Sequence, residues 1–311
     1  MFELGSKVAI RSAFGPALLP LARADERVVV VTADLGGSVG VNPFREEFPA
    51  RYLNCGVAEC DMISLSAGLA SEGFLPFAVT FGSFIGRAVD HMRQSIGHNR
   101  LKVTVVGSHG GISNGQDGPS AHAIEDVGIM RSMPTFAVVA PACANELAGA
   151  LNAVAAVEQP VYMRLYREPS PVFTSPDEPF EFGKVVRRHA GEDVTLLSYG
   201  PHVGFCLEWI DELSALGSID LLEVHTITPL DEDGVLASVA RTGRVVVVED
   251  HFKRGGLGSS VAELLSERLP TPMRHVALDG YARSGPYYEL RDAVGLGYDA
   301  VADAVRSVLA A

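Results

Sequence analysis

Short runs of β-branched residues alternate along the chain with stretches whose apolar positions recur every three or four residues. The first pattern reads as strands buried on both faces, the second as helices with one apolar side. Strands are predicted over residues 28–32, 103–107, 136–140, 161–165, 195–199 and 245–249, and helices over 63–71, 146–157, 203–216 and 261–269. This alternation marks parallel βαβ units with helices on both faces of a sheet, so the expected fold class is α/β with two parallel-sheet domains. Four prolines fall within residues 168–182, a composition suited to an extended linker and not to a packed element. The expected boundaries are a first domain over 1–168, a proline-rich linker over 169–182 and a C-terminal domain over 183–311.

A length of 311 residues agrees with two domains. With 47% hydrophobic residues, 20% charged and no apolar run near the ~18 residues of a membrane span, a soluble globular protein is expected. No signal peptide is visible, which points to a cytoplasmic location. The net charge of −13 argues against sequence-independent binding to nucleic acid or an anionic membrane. Cys55, Cys60, Cys143 and Cys206 form no CxxC pair or metal spacing, so reduced thiols and no metal site in this chain are expected.

Candidate chemistry begins at Glu59, which follows Asn54-Cys55-Gly56-Val57 and precedes the apolar stripe Met62, Ile63, Leu65 and Leu69. An acid in a first helical turn also suits the helix dipole. At Thr80-Phe81-Gly82-Ser83-Phe84 two phenylalanines three apart can wall a slot for a flat heteroaromatic ring, although such pairs also serve cores. The combination is more specific than either part. A third segment, residues 108–126, is a polar glycine-rich loop directly after a strand, where α/β proteins place ligands. It offers His109, Asp117 and His122 for substrate contacts or for turn hydrogen bonds. Gly255–Ser260 opens a predicted helix but lacks a dinucleotide fingerprint, and reads as tight strand-to-helix packing and subunit contact.

These segments, with Thr32-Ala33-Asp34-Leu35, Gly56-Val57-Ala58-Glu59, Asp117-Gly118-Pro119 and Glu249-Asp250-His251, resemble the pyrimidine-binding and C-terminal domains of the transketolase family. The resemblance implies transfer of two-carbon ketol units with thiamine diphosphate. It implies that Glu59 hydrogen-bonds a ring nitrogen of the cofactor's aminopyrimidine, that Phe81 and Phe84 surround that ring, and that Asp34 lies near the cofactor. Arg11, Ser38, His109 and Arg167 would grip a sugar phosphate and Asp117 a hydroxyl near the reacting carbons, with His109 in the catalytic set. Arg11 and Arg167 also read as solvated surface charges.

Two departures from the family pattern stand out. Where the family has Thr or Ser, then His and Gln after Asp-Gly-Pro, this chain has Ser120-Ala121-His122, which implies an altered donor preference. The diphosphate domain with its Gly-Asp-Gly motif is not found, which resembles split transketolases: a partner subunit would hold the diphosphate and Mg2+, with two copies of each chain. The rival readings are the β subunit of a 2-oxo acid dehydrogenase, a deoxyxylulose phosphate synthase-like enzyme and a regulatory pseudo-subunit without activity.

Overall fold

The computed structural model describes residues 2–311. In chain order the strands are β1 (Lys7–Ala9), β2 (Val28–Thr32), β3 (Tyr52–Asn54), β4 (Leu75–Phe81), β5 (Thr104–Ser108), β6 (Ala137–Val139) and β7 (Val161–Arg164). They continue with β8 (Pro169–Pro171), β9 (Val186–His189), β10 (Val194–Ser198), β11 (Ile219–Glu223), β12 (Thr226–Thr228), β13 (Val245–Phe252) and β14 (Met273–Leu278). One sheet has the order β12-β6-β7-β5-β4-β2-β3 and is parallel except for β12; the other has the order β14-β13-β10-β11-β9 and is parallel except for β9. The expected α/β class with two largely parallel sheets is what the chain adopts.

The central strands are apolar on both faces because helices cover both sides. Every residue of β2, β5 and β10 is buried. The helix Glu59–Ser71 turns Glu59, Met62, Ile63, Ser66 and Ala67 inward, the i, i+3, i+4, i+7, i+8 stripe of a helix lying on a sheet. The predicted helix over 203–216 is interrupted at Trp209 (φ −99°, ψ 2°) and forms two pieces, Pro201–Glu208 and Ile210–Ser214.

The proline-rich segment 169–182 begins as the extended strand β8, turns where the Glu178 amide donates to the Ser175 carbonyl at 3.1 Å, and is packed. β8 pairs antiparallel with β1, and Pro171, Val172 and Thr174 are buried. The Thr174 carbonyl accepts from Asn145 Nδ2 at 2.9 Å, and Phe180 stacks on His225 at 4.0 Å between ring centroids. Prolines that cannot donate to a ladder still tolerate a two-strand edge pairing. β12, which follows β11, crosses back to extend the first sheet beside β6, so the two sheets are tied by backbone as well as side chains.

The strongest tie is Arg164, the last residue of β7, which has no exposed surface. Its Nε donates to Asp126 Oδ2 at 2.9 Å; its Nη1 donates to Asp250 Oδ1 at 2.8 Å and Tyr166 OH at 2.6 Å; its Nη2 donates to the Ala123 carbonyl at 2.6 Å. Asp250 belongs to β13 in the other sheet. Burial alone would raise the Asp250 carboxyl, but Arg164 and then His202 outweigh it and hold its pKa down at about 2. A neighbouring carboxylate, Glu249, accepts from the Leu257 and Gly258 amides at 2.8 and 2.9 Å and so caps the helix Leu257–Arg268. A Cβ at Gly256 would stand 2.3 Å from Glu249 Oε2, which explains a glycine in the Gly255–Ser260 segment. That helix start is filled by the chain's own anion.

Replacing Arg164 with Met keeps bulk but leaves Asp126 and Asp250 buried without a counter-charge. Breaking such a pair typically costs about 3–5 kcal/mol. Denaturant unfolding should show a loss of that order for Arg164→Met, partly recovered by adding Asp126→Asn and Asp250→Asn. A loss below about 1 kcal/mol would show that this contact does not hold the sheets together.

Candidate active site

Parallel strands align their carboxyl ends, and the register here is close: Thr32 lies beside Asn54 and Val79, and Phe81 beside Ser108. The loops that leave this edge carry Asp34, Glu59, Phe81 to Phe84, His109 and Arg167. The chain leaves β2 for β3 on one side while β4 pairs on the other, the kind of switch point where α/β sheets open a crevice.

Asp34 stands just past β2 with φ 65°, and His109 just past β5 with φ 62°. Left-handed backbone at a residue other than glycine is uncommon and costs energy that the surroundings must offset. For Asp34 the anchor is Asn54, whose Oδ1 accepts from the amides of Asp34 and Gly56, both at 3.0 Å. One side chain therefore sets the path of two site loops, and it leads the turn to the helix that begins with Glu59.

Glu59 is 4% exposed. Its Oε1 accepts from Arg87 Nη1 at 3.0 Å, while Oε2 has no hydrogen-bond partner among the described residues. A buried carboxylate with one open acceptor suits a ligand that brings a nitrogen or N–H to it. Beside it the aromatics are stacked. Phe81 and Phe84 lie 5.3 Å apart between centroids at 15°, and His109 covers Phe81 at 3.7 Å and 26°. The two phenylalanines do not face each other across a slot, because a ring inserted between them would need about 7 Å, two aromatic stacking distances. They form one apolar wall, and a heteroaromatic ring would lie along it. A Cβ at Gly82 would meet Ala123 Cβ at 2.8 Å, so the glycine lets this wall seat tightly on the loop below.

The polar side of the crevice gathers around His109. Its Nδ1 pairs with Ser108 Oγ at 2.9 Å. Burial, then the positive charges of Arg11 and Arg167, push its pKa down to about 3, so the ring is neutral near pH 7. Arg11, on the helix Ile10–Ala24, donates from Nη1 to the Ser38 carbonyl at 2.5 Å; the contact is through the Ser38 backbone. Burial, then the nearby Arg167, lower the Arg11 pKa. Arg167 donates from Nη1 to Asp117 Oδ2 at 2.6 Å and from its backbone amide to Ser113 Oγ at 3.2 Å. His122 is buried, and neither ring nitrogen has a hydrogen-bond partner among the described residues. Burial lowers its pKa, with the nearby Gly115 backbone, then Asp117 and Asp250, acting against the shift. Its neighbour Ala121 is fixed through its carbonyl by Asn114 Nδ2 at 2.7 Å.

Sequence reasoning missed three residues of this region. Arg87 contacts Glu59 from 28 positions away, and no local pattern announces it. Asn54 carried a usable signal, an Asn two residues before a Gly at a strand end, where Asx side chains cap turns. Arg164, an arginine closing an apolar strand, was a second.

Two family models match the chain: transketolase, pyrimidine binding domain, over residues 6–171, and transketolase, C-terminal domain, over residues 183–301. The 6-deoxy-6-sulfo-D-fructose transketolase subunit SqwH of Clostridium sp. (strain MSTE9) is 37% identical over 290 residues, covering 92% of this chain and 90% of that protein. Transketolase of Homo sapiens is 32% identical over 313 residues, covering 99% of this chain and 50% of that protein, so the chain spans about half its length. A solved structure described as a split-gene transketolase in an inactive β4 tetramer is similar with a TM-score of 0.91 at 35% identity, covering 97% of this chain and 99% of that one. With a pyrimidine-binding domain match implying thiamine diphosphate and with both sheets accounted for, the chain belongs to the transketolase family.

Proposed function

We propose that this chain is the pyrimidine-side catalytic subunit of a split transketolase, moving a two-carbon ketol unit from a ketose to an aldose. The observation that carries the reading is Glu59: a buried carboxylate with one open oxygen, set against an aromatic wall at the carboxyl edge of a parallel sheet. Those features fit an aminopyrimidine, which offers a ring nitrogen at its edge and a flat apolar face. Residues 1–168 would carry these contacts, 169–182 would strap the domains together and 183–311 would serve assembly. A separate subunit would grip the diphosphate and Mg2+, with two copies of each chain; the likeness to a relative named as a transketolase subunit and to a split-gene transketolase supports the need for a second subunit.

Bound thiamine diphosphate would supply the carbon nucleophile and the electron sink. The chain's own part is proton control and orientation. Glu59 Oε2 would share a proton with the pyrimidine ring nitrogen, and the Phe81–Phe84 wall would keep water from that edge. Asp34, with its carboxylate on a strained turn, would line the cofactor side. Neutral His109, with Nδ1 committed to Ser108, leaves Nε2 to bond a substrate oxygen. Arg11 and Arg167 would take a terminal anion of the sugar, with Ser38 and His122 near it and Asp117 toward a hydroxyl. A tetrahedral anion suits two convergent guanidiniums. Phosphate is the first candidate, and the substrate in the printed name of the SqwH relative favours sulfonate as a second.

In the assembled complex, Glu59→Ala should cut turnover at least about a hundredfold, the usual scale for a general acid–base. Activity near the wild-type level would contradict this site. Arg11→Ala and Arg167→Ala should raise the apparent dissociation constant for anionic ketoses by about tenfold or more. Uncharged ketoses should change little, and equal effects on both would remove the anion clamp.

The His109 pKa gives a pH prediction with a definite sign. A pKa of about 3 in the fold against 6.5 in the open chain means that the folded state binds fewer protons. The stability it contributes is complete above about pH 6.5 and is lost as pH falls toward 3. NMR of the His109 ring should show no titration between pH 8 and 5, and His109→Asn should weaken the acid sensitivity of unfolding. A midpoint between 6 and 7 would contradict the neutral, buried ring.

A further inference from the structure

Arg87 is joined to the two parts of the proposed cofactor site that differ most in chemistry. Its Nη1 holds Glu59 Oε1 at 3.0 Å, and its guanidinium carbon stands 4.8 Å from the Phe84 ring centroid. The exposures are unequal: the Arg87 side chain is 58% exposed and that of Glu59 is 5% exposed. The planar groups run His109, Phe81, Phe84 and Arg87, and the guanidinium at the end of the row is tied to the buried acid. A guanidinium has a flat face for stacking and N–H groups in its plane for a carboxylate, so one residue can fix both relations at once.

The local backbone supports this placement. Arg87 falls in a short 3-10 turn, Gly86–Ala88, between the helical turn Gly82–Ile85 and the residues that follow. Its carbonyl also accepts from Cys60 Sγ at 3.4 Å, so its backbone packs on the residue next to Glu59. An exposed ion pair alone contributes little. Here one partner is buried and carries an open second oxygen, and a carboxylate free to turn would present either oxygen, or neither, to a ligand.

We infer that Arg87 is a positioning residue: it occupies Oε1 of Glu59, fixes the carboxylate relative to the Phe84 ring, and so leaves Oε2 as the one oxygen that can share a proton with the cofactor's ring nitrogen. The inference rests on the proposed cofactor site. Arg87 acts through Glu59 and need not touch substrate. Its effect should therefore depend on whether the ligand has a ring nitrogen for Glu59 to meet.

The test is calorimetric titration of the assembled two-subunit complex, in the presence of Mg2+, with thiamine diphosphate and with an analogue whose Glu59-facing pyrimidine nitrogen is replaced by carbon. Arg87→Ala should weaken thiamine diphosphate binding about tenfold and leave analogue binding within about twofold. Arg87→Lys keeps charge without the planar fork and should fall between. Added guanidinium ion at millimolar concentration should restore part of the Arg87→Ala loss, while urea should not. Equal weakening for both ligands would reduce Arg87 to a packing role, and unchanged binding of thiamine diphosphate would overturn the inference while leaving the cofactor site standing. A wild-type complex that binds no thiamine diphosphate would overturn the proposed function, and this inference with it.

Discussion

The fold turns on one buried cation. Arg164 closes β7 with no exposed surface and bonds Asp126 in its own domain and Asp250 in the other. Burying three charges is costly, and the arrangement holds because each donor of the guanidinium finds an acceptor. Tyr162 donates to Asp126 Oδ2 at 2.6 Å, and Tyr166 shares the same pocket, so the pair sits inside a hydrogen-bonded shell. The Ala123 carbonyl, bound by Nη2, lies in the loop that also carries Asp117 and His122. The contact that joins the domains therefore also anchors the floor of the crevice.

From that floor the site rises at a single edge. Aligned parallel strands put the cofactor-side residues on neighbouring loops, and Asn54 and the stacked rings hold those loops in a path that the backbone alone would resist. On the proposed reading this is half of a pocket, with an acid and an aromatic wall for a ring and a pair of arginines with a neutral histidine for a substrate. The charge distribution makes sense on these terms. In a chain of net charge −13, burial and the nearby Arg167 lower the Arg11 pKa, and on the proposed reading a substrate anion would relieve that crowding.

Much of this was legible in the sequence, for identifiable reasons. Val28–Thr32 and the inward stripe of Glu59–Ser71 were readable because each is apolar with a clear period. β4 was not among the predicted strands: Pro76 sits at its second position, and β5 pairs with it only from Phe77 onward, where the missing N–H no longer matters. The helix Ile10–Ala24 was hidden by Pro16 and Pro20, which lie four apart on its exposed side. At the site, Glu59, Phe81, Phe84 and His109 belong to compact motifs and could be named in advance. Arg87 and the partners of Arg164 could not, since their contacts span 28, 38 and 86 positions and depend on how the loops and domains dock. The stacking of Phe81 on Phe84 likewise follows from the turn after β4 and not from their spacing.

The central claim is that this chain holds one half of a thiamine diphosphate site and works only when another subunit brings the other half. The direct measurement is to mix the purified chain with its diphosphate-binding subunit, thiamine diphosphate and Mg2+, and to follow product release from ketose phosphates, ketose sulfonates, free ketoses and 2-oxo acids. The account predicts no turnover by the chain alone and aldehyde release from an anionic ketose once the partner is added. Turnover of 2-oxo acids only, or ketose cleavage that does not depend on the partner, would contradict it.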